Sequence, residues 1–379
     1  MDNGNLTAMV LLDVSSAFDT VCHTTLLDLL RSFGVTSSAI DWFTSYLTDR
    51  YQCVSIEGVK SKETLLTHGV PQGSVCGPLL FSVYTQPLGE LIRSHNVGYH
   101  FYADDIQLFI SFSPTDDNLL AVVSRLEECV AEIKTWMIHS NLKLNECKSE
   151  FMLLGSKGML GKVTKPCFKI DDVELEPKES CRNLGVIFDA NMTFHNHISH
   201  VAKSVRYQLR NLSHIRKFLS RRATEQIVHS LISSRLDFCN AILNNIPEYQ
   251  LKRLQRLQNS AARLVTLTKG SSHISPILKD LHWLPVHARI DFKILLFVYQ
   301  SLHGTAPTYI QDLIHRHAPP RQLRSSHTNL LHIPRTHHTW GTRSFSHIGP
   351  SLWNALPLQI RQESTYTHFK TLLKTHLFS

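Results

Sequence analysis

The stretch GYHFYADDIQLFI, residues 98–110, places two adjacent aspartates between two runs of aromatic and β-branched residues. From Ile106 to Phe112 the apolar residues recur at every second position, which is typical of a strand with one buried face. The pattern predicts a β-hairpin whose turn holds Asp104 and Asp105. Two like charges held side by side repel each other, and a bound divalent metal ion is the usual way to offset that repulsion.

The composition limits the class of protein. The 379 residues are 42% hydrophobic, enough for two or three packed domains. No apolar run is long enough to cross a membrane, and the N-terminal residues MDNGNLTAM lack the layout of a signal peptide. We therefore expect an intracellular protein, in the nucleus or the cytoplasm, with no membrane partner. The eight cysteines are scattered, which indicates reduced thiols rather than a disulfide framework or a zinc site.

Charge is distributed unevenly along the chain. Residues 1–154 carry 9 Lys and Arg against 18 Asp and Glu, whereas residues 155–379 carry 30 against 13. Positive residues often cover solvated helix faces, and for any single Lys or Arg that is the simpler interpretation. An excess of this size over the second half favours a surface that binds a phosphate backbone.

The first half predicts a mixed α+β domain. Residues 6–12 form an almost continuous apolar run ending in Asp13, as expected of a central strand. Strands and helices interleave without a strict βαβ repeat, which favours an antiparallel sheet with packed helices. We expect helices at 26–33, 39–47, 78–92 and 117–139, and strands at 52–56, 64–67, 98–102, 106–112, within 141–154 and within 167–187.

From Thr193 onward the pattern is helical. Apolar positions recur at helical spacing in residues 198–219, 227–236, 251–264 and 290–302, with Lys and Arg on the other faces. After about residue 305 the chain is rich in His, Pro, Ser and Thr, which predicts a loosely ordered linker. The apolar segment FSHIGPSLWNALPLQI, residues 345–360, then predicts a small docking element.

Three carboxylates can converge in this arrangement. If the hairpin pairs beside the first strand, Asp13 meets Asp104 and Asp105. Between them in sequence lies GVPQGSVCGPLLF, residues 69–81, whose glycines and prolines predict a turn ahead of a helix. Such a trio suits two metal ions that assist in-line phosphoryl transfer.

At these residues the sequence resembles the reverse transcriptases of non-LTR (LINE-type) retrotransposons. LLDVSSAFDTV (residues 11–21) is similar to their first palm motif, GVPQGSVCGPLLF to the second and FYADD (residues 101–105) to the third. NLKLNECKSEFMLLG (residues 141–155) is similar to the fourth, and CRNLGVIFDANMTFHNHI (residues 181–198) to the junction of primer grip and thumb. Two downstream segments, residues 281–304 and 345–357, resemble parts of vertebrate elements. Four motifs in the right order are a specific signal.

The resemblance implies a role for individual residues. Asp13, Asp104, Asp105 and the carbonyl of Val14 would hold two Mg²⁺ ions, for which Mn²⁺ is a substitute. Phe18 would exclude a ribose 2′-hydroxyl and so favour dNTPs over ribonucleotides. Gln72 and Gly73 would border the incoming nucleotide and the template, and Lys148 would protonate the leaving pyrophosphate. RNA template, DNA primer and dNTPs are the implied partners.

Each assignment has a plainer alternative. Without the first motif, ordinary core packing would be the better explanation of Phe18, and Lys148 alone would be interpreted as a solvated lysine. Asp19, within the first motif, is better explained as a turn or helix cap than as a ligand. The histidines between residues 315 and 347 have irregular spacing, so we interpret them as part of a polar linker rather than a metal site.

The resemblance also predicts a domain order. Residues 1–192 would form the palm, residues 193–305 a helical thumb-like domain, and residues 306–379 the linker with its docking segment. The first motif begins close to Met1, so we expect a polymerase that lacks its fingers, weakly active or inactive alone unless another chain supplies the missing regions. The alternative is a non-catalytic remnant that binds nucleic acid through its basic helical half.

Overall fold

A computed structural model of the chain describes residues 4–71, 73–317 and 329–378. The chain divides into two compact units, which we call the sheet unit and the helical unit. The sheet unit comprises residues 4–185 and 190–192, and the helical unit comprises residues 186–189 and those described from Thr193 onward.

The sheet unit mixes strands and helices, as the sequence predicts. Its strands are β1 (Leu6–Ser15), β2 (Tyr51–Gln52), β3 (Ser55–Ile56), β4 (Val59–Lys60), β5 (Thr64–Leu65), β6 (Gly98–Tyr102), β7 (Asp105–Phe112), β8 (Lys143–Leu154), β9 (Phe168–Ile170), β10 (Val173–Leu175) and β11 (Ser180–Asn183). Its helices are α1 (His23–Ser32), α2 (Ser37–Leu47), α3 (Gly77–Ser94), α4 (Asp116–His139) and α5 (Lys157–Leu160).

The main sheet has four antiparallel strands in the order β6-β7-β1-β8. The apolar run of β1 lies in the interior of this sheet, between β7 and β8, and its residues Leu6, Ala8 and Val10 are fully buried. Helix α4 packs against β7 and β8. It begins after Thr115, whose side chain accepts a hydrogen bond from the backbone N–H of Asn118 at 3.3 Å, the usual N-cap arrangement. The expected central strand and hairpin are confirmed, except that Asp105 is the first residue of β7 and not part of the turn.

The helical unit contains one strand and a series of helices. They are β12 (Val186–Asp189), α6 (His195–Ile215), α7 (Arg221–Val228), α8 (Ser234–Asp237), α9 (Glu248–Thr266), α10 (Ile274–Asp280), α11 (Val286–Leu302), α12 (Thr308–Gln311), α13 (Thr339–Arg343), α14 (Phe345–Ala355), α15 (Leu358–Arg361) and α16 (Tyr366–His376). A π-helical turn, His229–Ser233, joins α7 to α8, and 3₁₀ turns occupy Arg216–Phe218 and Asn240–Leu243.

Helix α11 contacts α14 and α16 in the core of this unit. The ring of Tyr299 stacks on Phe369 with centroids 4.3 Å apart, and Trp353 is almost fully buried. The segment expected to be a docking element thus supplies core residues. Part of the expected linker, residues 318–328, lies outside the described residues. The described residues from 329 onward pack with the rest of the unit, because their apolar side chains at helical spacing find a buried surface there.

Within the described ranges, no helix combines the length and the apolar character that crossing a membrane requires.

Candidate active site and nucleic-acid interface

Strand pairing places Asp13 opposite the aspartate pair. Strands β1 and β7 run antiparallel, with Leu12 paired to Ile106 at the last residues of the ladder. Asp13 and Asp105 are the next residues on the two strands, so the register sets them across from each other. Residues opposite each other in an antiparallel pair project from the same face of the sheet. The pairing of β1 with β7 therefore places two of the three predicted carboxylates, those of Asp13 and Asp105, across from each other on one face of the sheet.

The third carboxylate lies in the turn between β6 and β7. Tyr102 pairs with Asp105, which leaves Ala103 and Asp104 as a two-residue turn. Ala103 has φ of 53°, a left-handed value that glycine adopts more easily than alanine. Such backbone strain persists only where the surroundings enforce it, and it clusters at functional sites. The turn keeps the carboxylate of Asp104 adjacent to that of Asp105.

The electrostatics of the trio favour a bound cation. Partial desolvation raises the pKa of Asp105, and the charges of Asp104 and Asp13 raise it further. Among the described residues, no Lys, Arg or His side chain forms an ion pair with any of the three. Carboxylate oxygens are the ligands that Mg²⁺ and Mn²⁺ prefer. The charge and chemistry of these residues therefore fit a divalent ion, although nowhere in the described chain are three acidic, His or Cys side chains gathered tightly enough to enclose one.

On the other side of β1, the register with β8 is irregular next to Asp13. Leu11 pairs with Glu150 of β8, whereas Asp13 pairs with Asn145, so residues 146–149 bulge out of the ladder. The Ser149 hydroxyl closes the bulge by donating to the Asn145 carbonyl at 2.9 Å. Lys148 lies in this bulge, exposed to solvent, and makes no ion pair with any described residue. A sequence-predicted site residue thus occupies a break in the strand next to Asp13.

Phe18 lies in the loop between β1 and α1. Its ring packs on that of Phe81 in α3, with centroids 4.9 Å apart, and it remains half-buried. Its carbonyl accepts a hydrogen bond from the Val70 N–H at 2.8 Å. Phe18 therefore contributes to the core while keeping part of its ring accessible, so both of the roles considered for it remain compatible with its position. Val14, on the same strand as Asp13, is buried and pairs with Leu144.

The segment that precedes α3 is hydrogen-bonded to the loop between β1 and α1. The Gly69 N–H donates to the Val21 carbonyl at 2.8 Å, and the Gly69 carbonyl is 2.7 Å from Nε2 of His23. Gly69 has φ of 91°, and a Cβ there would lie 2.9 Å from the Asp19 carbonyl oxygen. Only glycine allows this close approach without displacing backbone. Gly73 is exposed with φ of 80°, and Gln72 lies outside the described residues.

Tyr84 is a structural residue of this site that the sequence reasoning did not single out. Its hydroxyl donates to the Ser140 carbonyl at 2.6 Å and accepts from the Cys22 N–H at 3.4 Å. It thereby connects α3, the start of α1 and the loop before β8. Because Tyr84 falls at helical spacing with Leu80 and Leu88, the pattern indicates only core packing. Its polar contacts depend on segments far away in sequence.

A second candidate site is a groove of about 530 Å³ in the helical unit, between α6 and α9. Four arginines line it, together with Leu and Ser residues and no carboxylate: Arg206, Arg210, Arg253 and Arg256. We call it the arginine groove. Buried Arg216 holds the ends of the two helices together, since its Nε donates to the Leu264 carbonyl at 2.8 Å. Guanidinium groups bind phosphates in a bidentate manner, so this groove has the chemistry of a phosphate-binding surface.

Residues 1–188 match the family described as reverse transcriptase (RNA-dependent DNA polymerase). This half of the chain belongs to the reverse transcriptase family, and the resemblance drawn from its four motifs is confirmed. The match covers β1, the Asp104–Asp105 hairpin and β8, the elements that carry the candidate active site.

The chain is similar to polymerases of LINE-type mobile elements in particular. It is 28% identical over 68% of its length to a probable RNA-directed DNA polymerase from transposon BS of Drosophila melanogaster. It is 25% identical over 74% of its length to the RNA-directed DNA polymerase from mobile element jockey of the same species. The matched regions are 28% and 31% of those proteins, so the chain spans about a third or less of these curated relatives.

Among solved structures, a telomerase from Candida tropicalis matches 73% of this chain and 49% of its own. The identity is 9% and the TM-score is 0.38, and the assignment does not rest on this likeness.

Proposed function

We propose that the chain is the catalytic region of an RNA-directed DNA polymerase of a non-LTR retrotransposon, with the sheet unit as its palm and α6 to α9 as its thumb. The observation that carries the proposal is the position of Asp13 across from Asp105, the residue after Asp104; partial desolvation raises the pKa of Asp105, and the charges of Asp104 and Asp13 raise it further. The proposed substrates are an RNA template, a DNA primer and dNTPs. Membership of the reverse transcriptase family supports the reaction class.

The three aspartates and the carbonyl of Val14 would hold two Mg²⁺ ions. Bound there, the ions would activate the primer 3′-hydroxyl and neutralise the charge on the phosphates. The residues of the chain then have separate tasks. The aspartates supply the negative charge of the site. Their positions are fixed because β1 and β7 each pair with a neighbouring strand on both sides. That rigidity lets carboxylates stay close in spite of their repulsion.

Other residues of the site would select and position the nucleotide. The accessible part of the Phe18 ring, supported by Phe81, would crowd a ribose 2′-hydroxyl and so favour deoxynucleotides. Gly73 would allow the nucleotide and template to approach the backbone, with Gln72 beside it. Lys148, in the bulge next to Asp13, would donate a proton to the leaving pyrophosphate.

Primer extension tests this proposal. The parent chain should extend a DNA primer on an RNA template with dNTPs and Mg²⁺ weakly, and Asp104→Asn/Asp105→Asn should abolish that extension. The matched control is Asp41→Asn/Asp49→Asn, which removes two exposed carboxylates elsewhere in the sheet unit. Its activity should equal that of the parent. Extension by the Asp104/Asp105 variant at the parental rate would contradict the proposed role of the pair.

A second candidate function is nucleic-acid binding without catalysis. It is favoured by the arginine groove, which gathers four cations and no carboxylate. If the parent binds a primer–template duplex but never extends it, this second function is the better account. Binding through phosphates must weaken steeply with salt, because each neutralised phosphate releases condensed counterions. An affinity that stays flat between low and high salt would rule out phosphate binding by the groove.

A further inference from the structure

Helix α6 carries a row of alternating aromatic and basic side chains that extends beyond the arginine groove. Successive members are three or four residues apart, so they lie on one face of the helix. From first to last the row covers about 21 Å along the helix axis. We call it the aromatic–basic row, and all five of its side chains are exposed: His200, Lys203, Tyr207, Arg210 and His214. Of the five, only Arg210 also lines the groove.

Tyr207 is the centre of the row, and its ring is open to solvent. The residue is 63% exposed, and no other described residue forms a hydrogen bond, ring stack or cation–π contact with its side chain. A single exposed aromatic residue is ordinary on a protein surface, so exposure alone indicates no function. What distinguishes Tyr207 is its position, with Lys203 one helical turn before it and Arg210 one turn after it.

The positive charge of this face is not neutralised within the described part of the chain. Helix α6 contains no Asp or Glu along its whole length. Lys203, Arg206 and Arg210 form no ion pair with any described residue. On the neighbouring helix α9, Arg253 and Arg256 add two further cations to the groove beside the row. Such a strip of uncompensated positive charge attracts a polyanion.

The spacing of the row would also suit a partner helix, since steps of three and four residues form the seam of a coiled coil. Seam positions in a coiled coil are apolar, usually Leu, Ile or Val. The aromatic–basic row has no aliphatic side chain, and two of its five positions are charged. Cations with aromatic rings between them are instead the combination that binds single strands, because the phosphates contact the cations and the bases stack on the rings.

We propose that the aromatic–basic row binds a single-stranded nucleic acid, with unpaired bases stacked on its three rings and phosphates bound by its two cations. The inference rests on the proposed function for the kind of ligand, and it adds that the bound segment is unpaired. A duplex keeps its base faces inside the helical stack, so it offers the rings nothing to stack on. Stacking requires no particular base and no 2′-hydroxyl, so RNA and DNA strands should bind alike.

Fluorescence anisotropy of labelled strands with the full chain tests the proposal. The probes are a mixed-sequence single-stranded DNA of about 12 nucleotides and an abasic strand of equal length, which keeps the phosphates and lacks the bases. Tyr207→Ala should weaken binding of the mixed-sequence strand about fivefold or more, as for the loss of one stacked base. It should weaken the abasic strand by less than about twofold, because the ring and the bases form one interaction. Tyr207→Phe keeps the ring and should bind the mixed-sequence strand as the parent does.

Two further variants separate stacking from charge. Lys203→Gln/Arg210→Gln should reduce the slope of log affinity against log salt for the single strand by about 1.4, since each phosphate contact contributes about 0.7. Tyr207→Ala should leave that slope unchanged, because stacking releases no counterions. Tyr309→Ala is the matched control: it removes an exposed tyrosine of the same unit that is followed by Asp312 rather than flanked by cations, and strand binding should stay unchanged.

A duplex of the same length separates this inference from the proposed function. If the parent binds the duplex, but Tyr207→Ala weakens the mixed-sequence and the abasic strand equally, base stacking on the row is overturned and the proposed function stands. If the parent binds neither duplex nor single strand, the proposed function fails and this inference fails with it. Equal losses in Tyr207→Ala and Tyr309→Ala would also overturn the inference, because any exposed tyrosine would then serve as well as the one in the row.

Discussion

The two units gather like charges in opposite ways. In the sheet unit Asp13 lies across from Asp105, which follows Asp104 in the chain, and in the helical unit four guanidinium groups line one groove. Both units also contain ion pairs between opposite charges: Lys134 binds Glu146 and Asp171 in the sheet unit, and Arg289 binds Asp237 in the helical unit. At each of the two clusters, a ligand of the opposite charge would offset the repulsion between like charges.

The difference in the sign of the charge indicates that the two units have different roles. An acidic edge suits metal ions and the chemistry they assist, whereas a basic groove suits the phosphate backbone on which that chemistry acts. If this comparison is right, variants of the sheet unit should change catalysis without changing binding. Variants of the helical unit should do the reverse.

The largest effect is expected from Asp13→Asn. It removes a carboxylate from the central strand while keeping the size of the side chain, so primer extension should fall at least about a thousandfold, as for loss of a major electrostatic contributor. The affinity for a primer–template duplex should stay within about twofold of the parent, because the arginine groove is untouched. Loss of duplex binding in this variant would break the comparison between the two units.

The next effect concerns the backbone that holds the site. Gly69→Ala should destabilise the protein by about 2 kcal/mol or more, because the new Cβ would lie 2.9 Å from the Asp19 carbonyl oxygen and φ is 91°. Gly58→Ala is the matched control: φ is 85° there, but no atom lies within 4 Å of the added Cβ. It should cost only about 1 kcal/mol. Equal losses in chemical denaturation would show that the contact with Asp19 is unimportant.

A smaller change is expected from Arg253→Gln/Arg256→Gln. If both guanidinium groups contact phosphates, the slope of log affinity against log salt should shrink by about 2, since each contact contributes about 0.9. Lys217→Gln/Arg222→Gln removes two exposed cations outside the groove and should leave the slope unchanged. The same reduction in both variants would mean that general charge, not the groove, attracts nucleic acid.

The smallest effect is a gain in stability. In the metal-free protein Asp105→Asn should stabilise the fold by less than about 1 kcal/mol at neutral pH. It removes the partial desolvation of the charged carboxylate and the repulsion from Asp104 and Asp13, at a position that is largely exposed. Since folding raises the pKa of Asp105, the penalty is absent at low pH and grows as the pH rises through that raised pKa. The advantage of the variant should follow the same course.

Asp117→Asn provides the control of opposite sign. Asp117 lies in the first turn of α4, where a negative charge interacts favourably with the helix dipole. Its replacement should be neutral or slightly destabilising at neutral pH. Thermal unfolding of the two variants across pH measures both effects, and a loss of stability in Asp105→Asn would argue against repulsion at the site.

Local sequence patterns predicted the strands, the hairpin and the long helices, because periodicity reports directly which face is buried. The sequence does not determine that β1 pairs with β7. The structure gives the residue-by-residue register of this pair, and that register places Asp13 across from Asp105. The bulge that holds Lys148 was not predictable, since it depends on how β8 meets β1. The same holds for Tyr84, whose partners are 56 and 62 residues away.

Charge counts indicated a basic second half but not where its cations gather. The arginine groove results from the packing of α6 on α9, two helices whose arginines are far apart in sequence. Residues after 305 are rich in His, Pro, Ser and Thr, a composition that is typical of a linker. Their few aromatic residues, such as Trp353 and Phe369, are nevertheless placed to fill the core.

The central claim is that the three aspartates hold divalent metal, and metal titration tests it most directly. Titration of Mn²⁺ into the full chain, followed by electron paramagnetic resonance, should show saturable binding that Asp13→Asn/Asp104→Asn removes and Asp41→Asn/Asp49→Asn retains. Bound Mg²⁺ should displace the signal. Mn²⁺ binding that is the same in all three proteins would contradict the claim, because the aspartates would then repel each other without serving as ligands.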